Sequence, residues 1–99
     1  MIGFSARAAR QFKELRQHYE DRERPEAIRG LIAAMEAAAR KIESTPSGGL
    51  AAPRPYSHLA RPGRAWIKAG RYWVTYSTGH PPLIVGVFYE TADIPRRLG

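Results

Sequence analysis

The chain has 99 residues, of which 43% are hydrophobic and 25% are charged, so it is long enough for one compact domain and too short for two. It contains no cysteine, which excludes disulfides, thiolate metal sites and cysteine nucleophiles. Sixteen Lys and Arg against nine Asp and Glu give a net charge of +7, which favours nucleic acid, an acidic protein or an anionic membrane as a partner. Residues 45–99 are the more basic part, with seven bases and only Glu90 and Asp93 as acids.

Apolar stretches such as residues 83–88 are far shorter than the roughly 18–20 residues of a membrane-spanning helix. The N-terminal residues also lack the ordered basic and apolar regions of a signal peptide. We therefore expect a cytoplasmic protein with no membrane association.

The first 44 residues carry a helical period. Phe4, Ala8, Phe12, Leu15 and Tyr19 recur at spacings of three and four, which predicts a helix over about residues 6–20. A charged break at residues 20–24 is followed by Pro25, a residue well suited to the first turn of a helix. The second helix is predicted to end near Ser44, before Thr45 and Pro46, so that the two helices form an antiparallel hairpin.

A strand period replaces the helical one after residue 63. Residues 1–5 predict a short strand before the first helix, at an edge or in the centre of the sheet, and residues 45–63, with four Pro and three Gly, predict a long irregular crossover. Three strands follow, over 64–69, 72–77 and 83–89, with tight turns between them, so we predict an antiparallel meander. Residues 90–99, interrupted by Pro95, predict no more than one helical turn.

Two stretches carry a resemblance to a known family. The segment WIKAGRYWVTY at residues 66–76 resembles the strand, glycine-containing turn and strand of the RelE/ParE superfamily of bacterial type II toxins. The segment VGVFYETADIPRRL at residues 85–98 resembles the closing strand and Asp-Ile-Pro-x-x-Leu tail of the same superfamily, best known on its ParE side. The resemblance implies a single α+β domain over residues 1–99, with an N-terminal strand and a helix hairpin packed on a small antiparallel sheet that ends in the meander.

Members of this superfamily bind a cognate antitoxin that inhibits them, and they have two main activities: ribosome-dependent mRNA cleavage on the RelE side and poisoning of DNA gyrase on the ParE side. The ribonucleases use Lys and Arg on the meander, plus an Arg and a Tyr near the C-terminus. Lys68 matches the strand lysine, but Trp73 occupies the arginine position of the middle strand, and Thr91 and Ala92 stand where an arginine follows the last strand. A gyrase inhibitor catalyses no reaction and needs none of these ribonuclease residues. Because most of them are missing, we predict a ParE-like toxin.

The alternatives are a RelE-like ribonuclease acting on ribosome-bound mRNA and a degenerate toxin without activity. A ribonuclease would have to rely on four bases for catalysis, namely Lys68, Arg71, Arg96 and Arg97. We predict that target contacts come from one basic group at one end of the meander and tail, although an ordinary solvated surface has the same composition. That group consists of Arg64, Lys68, Arg71, Arg96 and Arg97.

The hairpin has more apolar surface than one face of a three-stranded sheet can cover. We therefore predict that the rim of the hairpin binds an amphipathic segment of the antitoxin. The candidate antitoxin-binding residues are Phe12, Leu15, Tyr19, Ile28, Leu31 and Met35. A homodimer, or a heterotetramer with the antitoxin, is compatible with this arrangement. The spacing of His18, His58 and His80 is unlike that of a metal site, so we expect no metal and no cofactor.

A helix-turn-helix DNA-binding protein is a further class with two helices and a basic composition. The second helix offers Ala33, Ala34, Glu36 and Ala37, where a recognition helix needs a row of Arg, Asn or Gln side chains to read bases. The sequence therefore argues against this class, and a small sheet-based RNA-binding module remains as another alternative.

Overall fold

Two long helices lie on one face of a four-stranded sheet in a computed structural model that describes residues 2–98. Met1 and Gly99, the ends of the predicted first strand and of the tail, lie outside the described residues. In chain order the elements are β1 Gly3–Phe4, α1 Ala6–Asp21, α2 Pro25–Ser44, a short 3-10 helix Ser57–Leu59, β2 Arg64–Ala69, β3 Tyr72–Ser77, β4 Leu83–Tyr89 and α3 Ile94–Leu98. The predicted α+β fold class is confirmed.

Both helices of the hairpin begin where local chemistry favours it. The Ser5 hydroxyl accepts the backbone N–H of Ala8 at 3.1 Å and so caps the start of α1. Pro25 occupies the first turn of α2, where its missing N–H costs no hydrogen bond. The predicted bounds of both helices are confirmed to within one residue.

The sheet has the order β1-β4-β3-β2, and its last three strands form the predicted antiparallel meander. The prediction of a wholly antiparallel sheet is wrong at β1, which pairs with β4 in parallel at one edge. A parallel neighbour needs a long connection, and the helix hairpin, crossover and first two meander strands together supply it between β1 and β4. The N–H of Ser5 continues the pairing by donating to the carbonyl of Ile84 at 2.8 Å.

Each face of the sheet carries its own core. On the helix-covered face, side chains such as Leu31, Ile42 and Val74 are fully buried. The opposite face holds a second cluster of four buried residues, covered in part by Tyr56 and Leu59 of the crossover. That second cluster consists of Trp66, Trp73, Phe88 and Ile94.

The crossover is irregular, as predicted, but it is held firmly against the sheet. The Tyr76 hydroxyl donates to the carbonyl of Pro46 at 2.8 Å, and Leu50 exchanges two backbone hydrogen bonds of 2.7 Å with Trp66. The domain therefore has three layers, with the hairpin on one side of the sheet and the crossover and α3 on the other. Within residues 2–98, no helix is both long enough and apolar enough to cross a membrane.

Candidate functional site

The five bases predicted to form one group lie in several places. Arg64 is the first residue of β2 and pairs with Ser77, whereas Arg71 lies in the turn at the other end of the same strand. A six-residue strand extends about 17 Å, so these two bases lie at opposite ends of β2 and not at one end of the meander. The prediction of a single basic group is wrong, because residues close in sequence are carried apart by an extended strand.

Lys68 faces away from the helix hairpin. Its Nζ lies 3.1 Å from a carboxylate oxygen of Glu90 and 5.8 Å from the centre of the Trp73 ring. The positive charge is thus partly balanced by a carboxylate, and the ammonium group also lies over an aromatic face. Both contacts hold Lys68 on the side of the sheet opposite to the side that the hairpin covers.

Arg71 and Arg97 both line a groove of about 830 Å³ at the corner where the helix hairpin approaches the turn between β2 and β3. Side chains of α1, α2, that turn, the end of β4 and α3 line the groove. Arg96 is exposed on α3 and is not one of the described residues that line it. The volume is in the range typical of ligand pockets.

Three tyrosines, Tyr19, Tyr72 and Tyr89, form the floor of this groove, which we call the tyrosine groove. The hydroxyl oxygens of Tyr19 and Tyr72 are 2.6 Å apart, and the ring of Tyr89 meets that of Tyr72 edge to face, with centres 5.7 Å apart. Burial and the hydrogen bond with Tyr19 raise the pKa of Tyr72 well above its usual range. The Tyr72 hydroxyl therefore stays neutral and serves as a hydrogen-bonding group.

Charged side chains stand at the mouth of the groove. A side-chain hydrogen bond with Tyr89 is the main cause that raises the pKa of Arg71, and the nearby carboxylate of Glu90 adds to it. Arg24 donates to the Glu26 carboxylate at 2.7 Å, which lowers the pKa of Glu26. Both members of that pair are exposed, so the pair orders the rim and adds little stability.

The six candidate antitoxin-binding residues divide between the core and the groove. Leu31 and Met35 are buried against the sheet and belong to the intramolecular core, so they offer no surface to a partner. Leu15 and Tyr19 are half-buried and line the tyrosine groove. Phe12 and Ile28 are also half-buried. The available part of this face is therefore smaller than predicted and lies mostly at its Leu15 and Tyr19 end.

Several groove residues were missed in the sequence. Gln11 accepts the backbone N–H of Val87 at 2.9 Å through its side-chain oxygen, and Glu14 and His18 follow it along the same wall of α1. Their spacing of three and four residues places them beside Leu15 and Tyr19 on the helix, so the helical period contained this signal. No pattern in the sequence predicts that Arg24 lines the groove, because its position depends on the conformation of the turn between α1 and α2.

The four bases of a hypothetical ribonuclease site do not all line one groove. Lys68 faces one side of the sheet, whereas Arg71 and Arg97 line the tyrosine groove beneath the hairpin. Lys68 and Arg71 nevertheless both lie near Glu90, whose carboxylate pairs with Lys68 and whose N–H donates to the carbonyl of Arg71 at 2.9 Å. Catalysis by these four bases therefore stays a prediction. Among the described residues, no cluster of three His, Asp or Glu side chains can hold a metal ion.

No protein-family model matches the chain, and no curated protein matches it.

Proposed function

We propose that this chain is the toxin of a bacterial type II toxin–antitoxin system, that it belongs to the ParE side of the RelE/ParE superfamily, and that it inhibits DNA gyrase in the cytoplasm. The observation that carries the proposal is the order of elements. A short strand, a helix hairpin, an irregular crossover, a three-stranded meander and a short basic tail follow one another as the resemblance implies. The motif segments at residues 66–76 and 85–98 fall on β2, β3, β4 and α3 of that arrangement.

The pairing of Lys68 and the lack of an arginine at the Trp73 position favour gyrase over mRNA as the target. Lys68 is engaged with Glu90, and Trp73 fills the strand position where the superfamily's ribonucleases place an arginine. A toxin that traps another enzyme needs a binding surface and no proton-transfer groups, so these features are compatible with gyrase inhibition. They are difficult to combine with RNA cleavage, which requires an assembled acid–base pair.

The tyrosine groove is the best place for the antitoxin. It combines half-buried apolar side chains, Leu15 and Tyr19, with polar groups at the rim that can fix the register of a bound segment. An amphipathic segment of the antitoxin would cover this part of the hairpin, since such grooves bind partners through regularly spaced apolar anchors. A partner with acidic or neutral composition would also offset the net charge of the toxin.

Growth of a bacterial host tests the proposal. Induced expression of the chain should arrest growth, and co-expression of the product of the adjacent gene should restore it. Leu15→Arg places a charge in the groove and should prevent rescue while toxicity remains, whereas Lys13→Ala, on the exposed side of the same helix, should leave rescue intact. Normal growth on induction of a folded, soluble chain would contradict the toxin proposal.

A further inference from the structure

The end of α2, the crossover and β2 carry a second group of positively charged side chains, which lies outside the tyrosine groove. We propose that this surface, the crossover face, binds the phosphodiester backbone of a nucleic acid without reading its sequence. The crossover face consists of the exposed side chains of Lys41, Arg54, Arg61, Arg64 and Lys68. The inference does not depend on gyrase being the target.

The first observation is a cationic cleft. Lys41 from the end of α2, Arg54 from the crossover and Lys68 from β2 line one shallow cavity of about 430 Å³. Of the described residues that line it, three are cations and none is acidic. Three cations from three separate elements thus share one opening, although they are far apart in the sequence.

The second observation is the charge of the chain that builds this layer. Residues 45–89 contain five Lys and Arg and no Asp or Glu. The carboxylate of Glu90, just beyond this stretch, pairs with Lys68 at the border of the face. The crossover and β2 therefore carry an excess of positive charge, which attracts a polyanion.

The third observation is the spacing of the cations. Arg64 and Lys68 are four residues apart on one strand, so their side chains leave the same side of the sheet about 13 Å apart. The carbonyl of Arg61 accepts the N–H of Arg64 at 3.2 Å, which places a further base beside the start of β2. A row of this length can meet several phosphates of one nucleic acid, whose charges repeat at intervals of a few ångströms.

The burial of both tryptophans that line this cleft favours nucleic acid over an acidic protein. Trp66 and Trp73 are only 2% and 8% exposed, so their rings pack inside the domain, and among the residues lining the cleft Leu50 is the large hydrophobic side chain that is exposed. A stable protein interface needs an apolar centre as well as charge. A phosphodiester backbone needs only well-placed cations, which this face supplies.

Fluorescence anisotropy with labelled oligonucleotides tests this inference. The full chain is titrated into a short duplex DNA and into a single-stranded RNA of equal length, at salt concentrations between about 50 and 200 mM. If about four phosphates are contacted, log K for the duplex should fall with log[salt] with a slope of about −3.6. Tighter binding to either polymer supports the inference and identifies the preferred backbone.

Matched variants separate a local site from overall charge. Arg54→Gln/Arg64→Gln should weaken binding at least tenfold and make the salt slope shallower by about two, since each lost phosphate contact removes about one. Arg10→Gln/Lys13→Gln changes the net charge equally on exposed positions of α1 and should leave the affinity within about twofold. Circular dichroism verifies that both variants are folded.

Three results would overturn the inference. The first is the absence of binding to either oligonucleotide at the lowest salt concentration. The second is an equal loss of affinity in both variants, which would mean that only net charge matters. The third is preferential binding of polyglutamate over both oligonucleotides, which would identify an acidic protein as the partner. Each readout is independent of growth arrest, so failure here is distinguishable from failure of the toxin proposal.

Discussion

The hydroxyl oxygens of Tyr19 and Tyr72 lie 2.6 Å apart, although 53 positions separate the two residues in the chain. Tyr19 belongs to the last turns of α1 and Tyr72 begins β3, so this hydrogen bond joins the far end of the hairpin to the sheet. It also forms the floor of the tyrosine groove. The contact thus links the stability of the domain to the shape of this groove.

Removal of either hydroxyl should destabilise the domain, and removal of both should cost less than the sum. Tyr19→Phe leaves the Tyr72 hydroxyl buried without this partner, which should lower the free energy of unfolding by about 1 kcal/mol or more. Urea unfolding of Tyr19→Phe, Tyr72→Phe and the double variant measures the coupling. Additivity of the two changes within about 0.3 kcal/mol would show that the hydrogen bond contributes nothing.

Alkaline pH should destabilise the domain in part through the buried Tyr72. The pKa of Tyr72 is raised in the folded chain, whereas the pKa of an exposed tyrosine is about 10. Above about pH 10 the unfolded chain therefore loses this proton first, and the free energy of unfolding falls as the pH rises further; below that pH the contribution is fully present. Urea midpoints between pH 8 and pH 11 measure the effect, which should be smaller in Tyr72→Phe. The same pH dependence in both proteins would refute this assignment.

Two glycines should respond in opposite ways to alanine. A Cβ at Gly49 would lie 2.6 Å from the Tyr76 hydroxyl oxygen and 2.8 Å from the Cβ of Ala65, so Gly49→Ala should cost about 1–3 kcal/mol. Gly30 lies inside α2 with open space around it, so Gly30→Ala should stabilise the domain by about 0.5–1 kcal/mol. Thermal unfolding compares them, and a neutral Gly49→Ala would mean that the crossover is loosely held.

The second core should depend on Ile94. This side chain of α3 is 0% exposed and packs with Trp66, Trp73 and Phe88. Ile94→Ala should lower the free energy of unfolding by about 2–5 kcal/mol and shift the tryptophan emission to longer wavelength as water reaches the indoles. Ile32→Ala, at a position 38% exposed, serves as the control and should cost less than half as much. Equal losses in the two variants would indicate that α3 does not seal this face.

Periodicity was sufficient to predict the regular elements. Phe12, Leu15 and Tyr19 recur at helical spacing, and Tyr72, Val74 and Tyr76 recur at strand spacing, so the helices and the meander follow from the sequence alone. The parallel position of β1 does not follow, because a two-residue strand has too few side chains to specify a direction.

The candidate site was less predictable, because its residues come from distant elements. The strand period indicates that Arg64 and Lys68 lie on the same face of the sheet. It does not predict the position of Arg71, which lies in the turn after β2 and lines the groove on the other face. The contact of Tyr19 with Tyr72 depends on the tilt of the hairpin over the sheet, and local sequence does not encode that tilt. The packing of the crossover likewise depends on tertiary contacts, since its Pro and Gly residues have no period.

The central claim is that the chain inhibits gyrase, and the most direct measurement is a supercoiling assay with purified protein, gyrase and plasmid, run beside an mRNA cleavage assay on translating ribosomes. The account predicts trapped gyrase–DNA cleavage complexes, intact mRNA, and loss of the plasmid effect when the antitoxin is added. Intact plasmid together with cut mRNA would contradict it and would assign the chain to the ribonuclease branch.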